Sequence, residues 1–91
     1  MAELTSMRNI GRELARKLTA AGVDSPEKLA EAGAKEAFFR MKTLYPGVCL
    51  VHLYALEGAV RDVEYNRLPE VVKAELRAFS DTLKGGGGDR L

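Results

Sequence analysis

Apolar residues recur along most of this chain at the three-and-four spacing of helices, in stretches punctuated by glycine and proline. Leu14, Ala15, Leu18 and Ala21 form a first stripe facing a core, and Gly22 stands where a left-handed residue ends a helix. Asp24-Ser25-Pro26-Glu27 reads as the next helix start. Ser25 can accept a backbone N–H, and Pro26 takes the first helical position, where no donor is missed. This second helix is short, running through Leu29 and Ala32 to Gly33. A third carries Ala34, Ala37, Phe38, Met41 and Leu44 on one stripe, with Tyr45 beside it, all read as core, and Pro46-Gly47 stops it.

From Val48 to Val60 nearly every residue is apolar, interrupted by His52, Glu57 and Gly58, so no polar face of ordinary width exists. This helix is predicted to be central and buried. Gly58 costs about 1 kcal/mol of helix propensity relative to alanine, so it predicts close packing by another backbone. Asp62 to Arg67 reads as a connection. Leu68-Pro69-Glu70 opens a last helix with Val71, Val72, Leu76, Phe79 and Leu83 at core spacing. Gly85 to Gly88 are expected to end the order, giving a helical domain over residues 1–84 and a flexible glycine-rich tail over 85–91. No strand-like alternation and no internal repeat is present. The fold class is therefore all-α, a single compact domain of about five helices joined by short turns.

With 91 residues and 46% hydrophobic content, the chain has material for one small core. Its longest apolar run falls short of the roughly twenty residues that cross a bilayer and contains Glu57, so no membrane association is expected. Cys49 is the single cysteine, which excludes an intramolecular disulfide and a cysteine-rich metal cage. The start, Met-Ala-Glu-Leu-Thr-Ser, lacks the basic and apolar regions of a signal peptide, and a cytoplasmic protein is expected.

A net charge of +1 gives no global attraction for nucleic acid, but the charge is clustered. Arg8, Arg12, Arg16 and Lys17 face Glu13 alone within residues 8–17, around the turn Asn9-Ile10-Gly11. In that turn Ile10 is expected to plug inward, and Gly11 to supply backbone freedom and close approach. The helix that follows presents unpaired N–H groups and a partial positive charge, an end suited to an anion. Arg8, Asn9, Ile10, Gly11, Arg12, Arg16 and Lys17 are therefore the candidate anion- or nucleic-acid-binding residues.

Other polar residues support less chemistry. Cys49 and His52 lie three apart, but no further His or Cys completes a metal site, and Val48, Leu50 and Val51 surround the thiol in sequence. Glu57, within an apolar helix, is expected to be structural, accepting hydrogen bonds from a neighbouring helix start, from Tyr54 or from Tyr65. Tyr54 and Glu57 are thus buried polar candidates. No nucleophile–base pair, phosphate loop or metal signature occurs at usable spacing. Neither catalysis nor a cofactor, metal or small-molecule substrate is expected.

Several strings carry a family resemblance: Asn9-Ile10-Gly11 before the first long helix, Ala21-Gly22-Val23 followed by Ser25 and Leu29, Gly33-Ala34-Lys35-Glu36-Ala37, and Leu53-Tyr54-Ala55-Leu56-Glu57-Gly58-Ala59. Over residues 7 to about 83 the chain resembles the carboxy-terminal domain of the TfoX (Sxy) competence regulators of bacteria, in a stand-alone form. The resemblance implies a helical domain whose amino-terminal half is similar to helix-hairpin-helix (SAM-like) modules, and no known catalysis. The chain departs from many relatives in having Met7-Arg8 where they have Leu-Pro, and Tyr65 where they have Trp. Full-length TfoX regulators carry a separate amino-terminal domain, for which 91 residues leave no room. The expected function is a small regulatory binding domain acting by protein contact, with a partner or with itself, through the basic hairpin. The alternative is non-specific binding of a DNA backbone by the same turn.

Overall fold

The helix boundaries follow from local chemistry at nearly every joint. In the computed structural model, which describes the backbone of residues 3–88 and side chains through Leu83, two single 3-10 turns and five α-helices succeed one another. The 3-10 turn Leu4–Ser6 precedes α1 (Arg12–Ala20), α2 (Pro26–Ala32), α3 (Ala34–Leu44) and α4 (Leu50–Arg61). A second 3-10 turn, Tyr65–Arg67, leads into α5 (Glu70–Gly88). The described residues contain no strand.

Gly22 closes α1 at φ 90°, and the Val23 N–H reaches back to the Leu18 carbonyl at 2.8 Å. Ser25 caps α2 by accepting the Lys28 N–H at 3.1 Å, with Pro26 in the first turn. Beyond α3, the Lys42 ammonium donates to the carbonyls of Pro46 at 3.0 Å and Val48 at 2.9 Å, holding the Pro-Gly loop against the helix that leads into it. Helical backbone in α5 runs through Gly88, beyond the boundary drawn at residue 84. Glycine costs about 1 kcal/mol per helical position relative to alanine, so the apolar stripe up to Leu83 holds this helix. Residues 89–91 of the expected tail lie outside the described residues.

The core gathers around α4. Leu53 and Leu56 are fully buried with Leu18, Leu29, Phe38 and Met41, and Leu76 of α5 is 2% exposed. The radius of gyration, 12.7 Å, matches the ~12 Å of one folded domain of this length. Four positions read as core are corrected. Leu44, at the last turn of α3, is 53% exposed, and Val71, in the first turn of α5, is 74% exposed. Each lies at a helix end, where the apolar stripe has passed the edge of the neighbour that covers it. On α4, predicted to be central and buried, Val51 is 52% and Val60 38% exposed, so only the side carrying Leu53, Leu56 and Ala59 faces the core.

A cleft beside the amino-terminal turn

Two of the turn's residues exchange the roles their types suggested. Asn9, and not Gly11, takes the left-handed backbone, at φ 72°. Gly11 is ordinary extended backbone at φ −92°, and a Cβ built on it meets nothing within 4 Å. Ile10 plugs the core as expected, at 4% exposure. The element before the turn is a single 3-10 turn instead of a helix.

The Asn9 side chain is consumed internally. Its Nδ2 donates to the carbonyl of Val63 at 2.9 Å and more weakly to that of Ala55 at 3.4 Å, while its Oδ1 accepts the Tyr65 N–H at 3.3 Å. One amide thus ties the amino-terminal turn to the end of α4 and to the second 3-10 turn. Gly58 is the floor of this joint. A Cβ there would lie 2.4 Å from Asn9 Nδ2 and 2.6 Å from the Val63 carbonyl oxygen. The close approach predicted at Gly58 therefore comes from a bracketing side chain and the chain's own return.

The basic residues do not converge on the mouth of α1. Arg8 pairs with Asp62 at 3.3 Å, between exposed side chains. Arg16 pairs with Glu13 one turn away and lies 5.8 Å from the centre of the Tyr45 ring. Lys17 is 5.5 Å from the same ring. The hydrogen bond and charge of Arg16 hold the Glu13 carboxyl below its ordinary value, and Glu13 raises Arg16 in turn. Arg12 is exposed and enters no ion pair, hydrogen bond or ring contact among the described residues.

What the structure builds beside the turn is a cleft of about 450 Å³. Gly11, Arg12, Glu13, Leu14 and Lys17 of the α1 side form one wall, and Val51, His52, Ala55 and Tyr65 the other, with Asn9 between. Arg8, Ile10 and Arg16 do not line it. No sequence argument placed Val51, Ala55 or Tyr65 at a binding site. The signal was present in part, since Val51, Ala55 and Gly58 share one helical stripe.

The remaining polar candidates have local explanations. Glu57, with its side chain 18% exposed, pairs with Arg61 on the next turn of α4, so its hydrogen bond goes neither to a tyrosine nor to a helix start, although it borders the start of α3 at Gly33 and Ala34. Tyr54 is half-buried against the core. Cys49 is exposed, contrary to its apolar surroundings in sequence, because it precedes the first turn of α4. Its backbone N–H donates to His52 Nδ1 at 3.0 Å. Among the described residues, no three His, Cys, Asp or Glu side chains cluster as a metal site, and no helix is long and apolar enough to cross a membrane.

The profile of the TfoX C-terminal domain matches residues 1–80. No curated protein sequence matches the chain. Two crystal structures superpose closely. An uncharacterized protein from Listeria monocytogenes in a triclinic form is 42% identical with a TM-score of 0.91, covering 92% of this chain and 96% of that one. A protein of unknown function from the same organism, in a tetragonal form, is 41% identical with a TM-score of 0.86, covering 88% and 99%. The chain belongs to the TfoX C-terminal domain family.

Proposed function

We propose that this TfoX C-terminal domain is a non-enzymatic regulatory module of the cytoplasm that acts by contact with another protein, made at the cleft between α1 and α4. The observation that carries this reading is the disposition of the cations. Arg8 and Arg16 are neutralised by Asp62 and Glu13, and Arg12 is left beside an apolar wall of Val51, Ala55 and Tyr65. Duplex affinity grows with the number of phosphates neutralised, and one uncommitted guanidinium with a neighbouring lysine supplies little of it. Covering exposed Val51 and Tyr65 contributes roughly 25 cal/mol per Å² of apolar area, which a protein surface can supply.

The test sets the two macromolecules against each other. A short fluorescent duplex titrated at about 50 and about 200 mM salt is expected to show no binding tighter than ~10⁻⁴ M. Micromolar binding that steepens at low salt and disappears in Arg12→Ala with Lys17→Ala would overturn the protein-contact reading in favour of DNA. A photo-crosslinking residue at position 51, expressed in the native cell, is expected to give a discrete protein adduct that the same residue at position 71 does not. Identical patterns from both positions would also overturn it.

A further inference from the structure

We infer that the partner enters the cleft as a short acidic segment, laying an apolar side chain on Val51, Ala55 and Tyr65 and placing a carboxylate between Arg12 and Lys17; this rests on the protein-contact reading above. The apolar half of the argument comes from one stripe of α4. Val51, Ala55 and Gly58 follow each other at helical spacing, and the chain covers two of them. Gly58 lies under Asn9 and the Val63 carbonyl, and Ala55 is 7% exposed. Val51, one turn further on, is 52% exposed, and Tyr65, which lines the same wall of the cleft, is 42% exposed. A partner's apolar side chain would continue on Val51 the packing that the chain's own return provides lower down.

The polar half is charge complementarity. Arg12 and Lys17 are donors only. His52 accepts the Cys49 N–H through Nδ1, so its neutral ring carries its proton on Nε2 and is a donor at its other nitrogen. Asn9 has both amide atoms engaged. Among the described residues, Glu13 is the only carboxylate on the cleft wall, and Arg16 already holds it. The lining therefore offers donors and positive charge beside apolar surface. A carboxylate next to an aliphatic or aromatic side chain satisfies both; a phosphodiester backbone satisfies the charge alone.

The experiment uses the whole chain. Short random peptides displayed on phage are selected against it, and the most enriched sequence, with blocked ends, is titrated into ¹⁵N-labelled protein. Expected are Asp or Glu adjacent to Leu, Ile or Phe, amide shifts at Gly11, Arg12, Lys17, Val51, His52 and Ala55, and about tenfold weaker binding when the peptide's acid becomes its amide. Arg12→Glu and Val51→Glu, both at exposed positions, should each weaken binding about tenfold with unchanged far-UV circular dichroism. Peptides that bind the cleft equally well with the amide would overturn the acidic chemistry while leaving protein contact standing. No enrichment, or shifts confined to another face, would overturn the proposal. A duplex giving the same cleft shifts in an Arg12-dependent way would overturn the protein-contact reading itself.

Discussion

Asn9 ties three segments of the chain together through one amide, and its removal should be costly. Its three hydrogen bonds differ in quality: the one to Val63 is 2.9 Å, those involving Tyr65 and Ala55 are 3.3 and 3.4 Å. At a net value near 1 kcal/mol for a good bond, with the two long ones together contributing a similar amount, the side chain is worth about 2 kcal/mol. Alanine at φ 72° adds a left-handed penalty of about 1 kcal/mol that glycine does not incur. Asn9→Ala should therefore destabilise by about 3 kcal/mol, a fall in Tm of roughly 15 °C for a domain of this size, and Asn9→Gly by about 2 kcal/mol. Urea unfolding followed by far-UV circular dichroism measures both, with the slope m checked for constancy. Gly58→Ala supplies an independent arm. It gains about 1 kcal/mol of helix propensity, yet its Cβ would sit 2.4 Å from Asn9 Nδ2 and 2.6 Å from the Val63 oxygen, so a net loss is expected. Combined with Asn9→Ala the loss should be less than additive, since one of the two obstructing atoms is gone. An Asn9→Ala variant within about 0.5 kcal/mol of the wild type, or less destabilised than Asn9→Gly, would refute the bracket.

Other consequences follow from the same structure. Gly11→Ser should stabilise by a few tenths of a kcal/mol in thermal melts, because the position is open, extended and at the cap of α1; a loss above about 1 kcal/mol would mean that glycine is required there. Val71→Lys should leave stability within about 0.5 kcal/mol, whereas Leu76→Ala should cost about 2–5 kcal/mol; comparable losses would contradict the exposure of Val71 beside the burial of Leu76. Ser25→Ala should cost about 1 kcal/mol through the lost cap to the Lys28 N–H, read in urea unfolding. Glu13 should titrate below an ordinary glutamate in a side-chain NMR titration, and Arg16→Gln should return it upward. Because its folded pKa is depressed, the pair's contribution to stability is complete above the unfolded-state value and is lost as pH falls through the folded one. An unchanged Glu13 titration in Arg16→Gln would show that the pair is not formed in solution.

Helix starts and stops were legible because their causes are local. A hydroxyl before Pro26, a glycine after Ala21 and a proline after Tyr45 each act on backbone groups within a few residues. The core side of each helix was legible through its middle, where apolar spacing reports a neighbour along the whole face. It failed at Leu44, Val51, Val60 and Val71, because periodicity records which side faces inward and says nothing of how far the neighbour extends. The site was legible only as a cluster of charge. Arg8 finds Asp62 across 54 positions, a pairing that no local spacing announces.

The amino-acid pattern alone determined an all-helical chain, its breaks and most of its buried residues, since these depend on short-range sterics, capping and amphipathic spacing. Tertiary structure decided that the left-handed residue of the turn is Asn9, that Gly58 is small to admit it, and that Arg12 faces Val51 and Tyr65 across an open cleft. Those outcomes depend on where the chain returns after α4, a through-space arrangement in which groups distant in sequence compete for the same hydrogen bonds and charges.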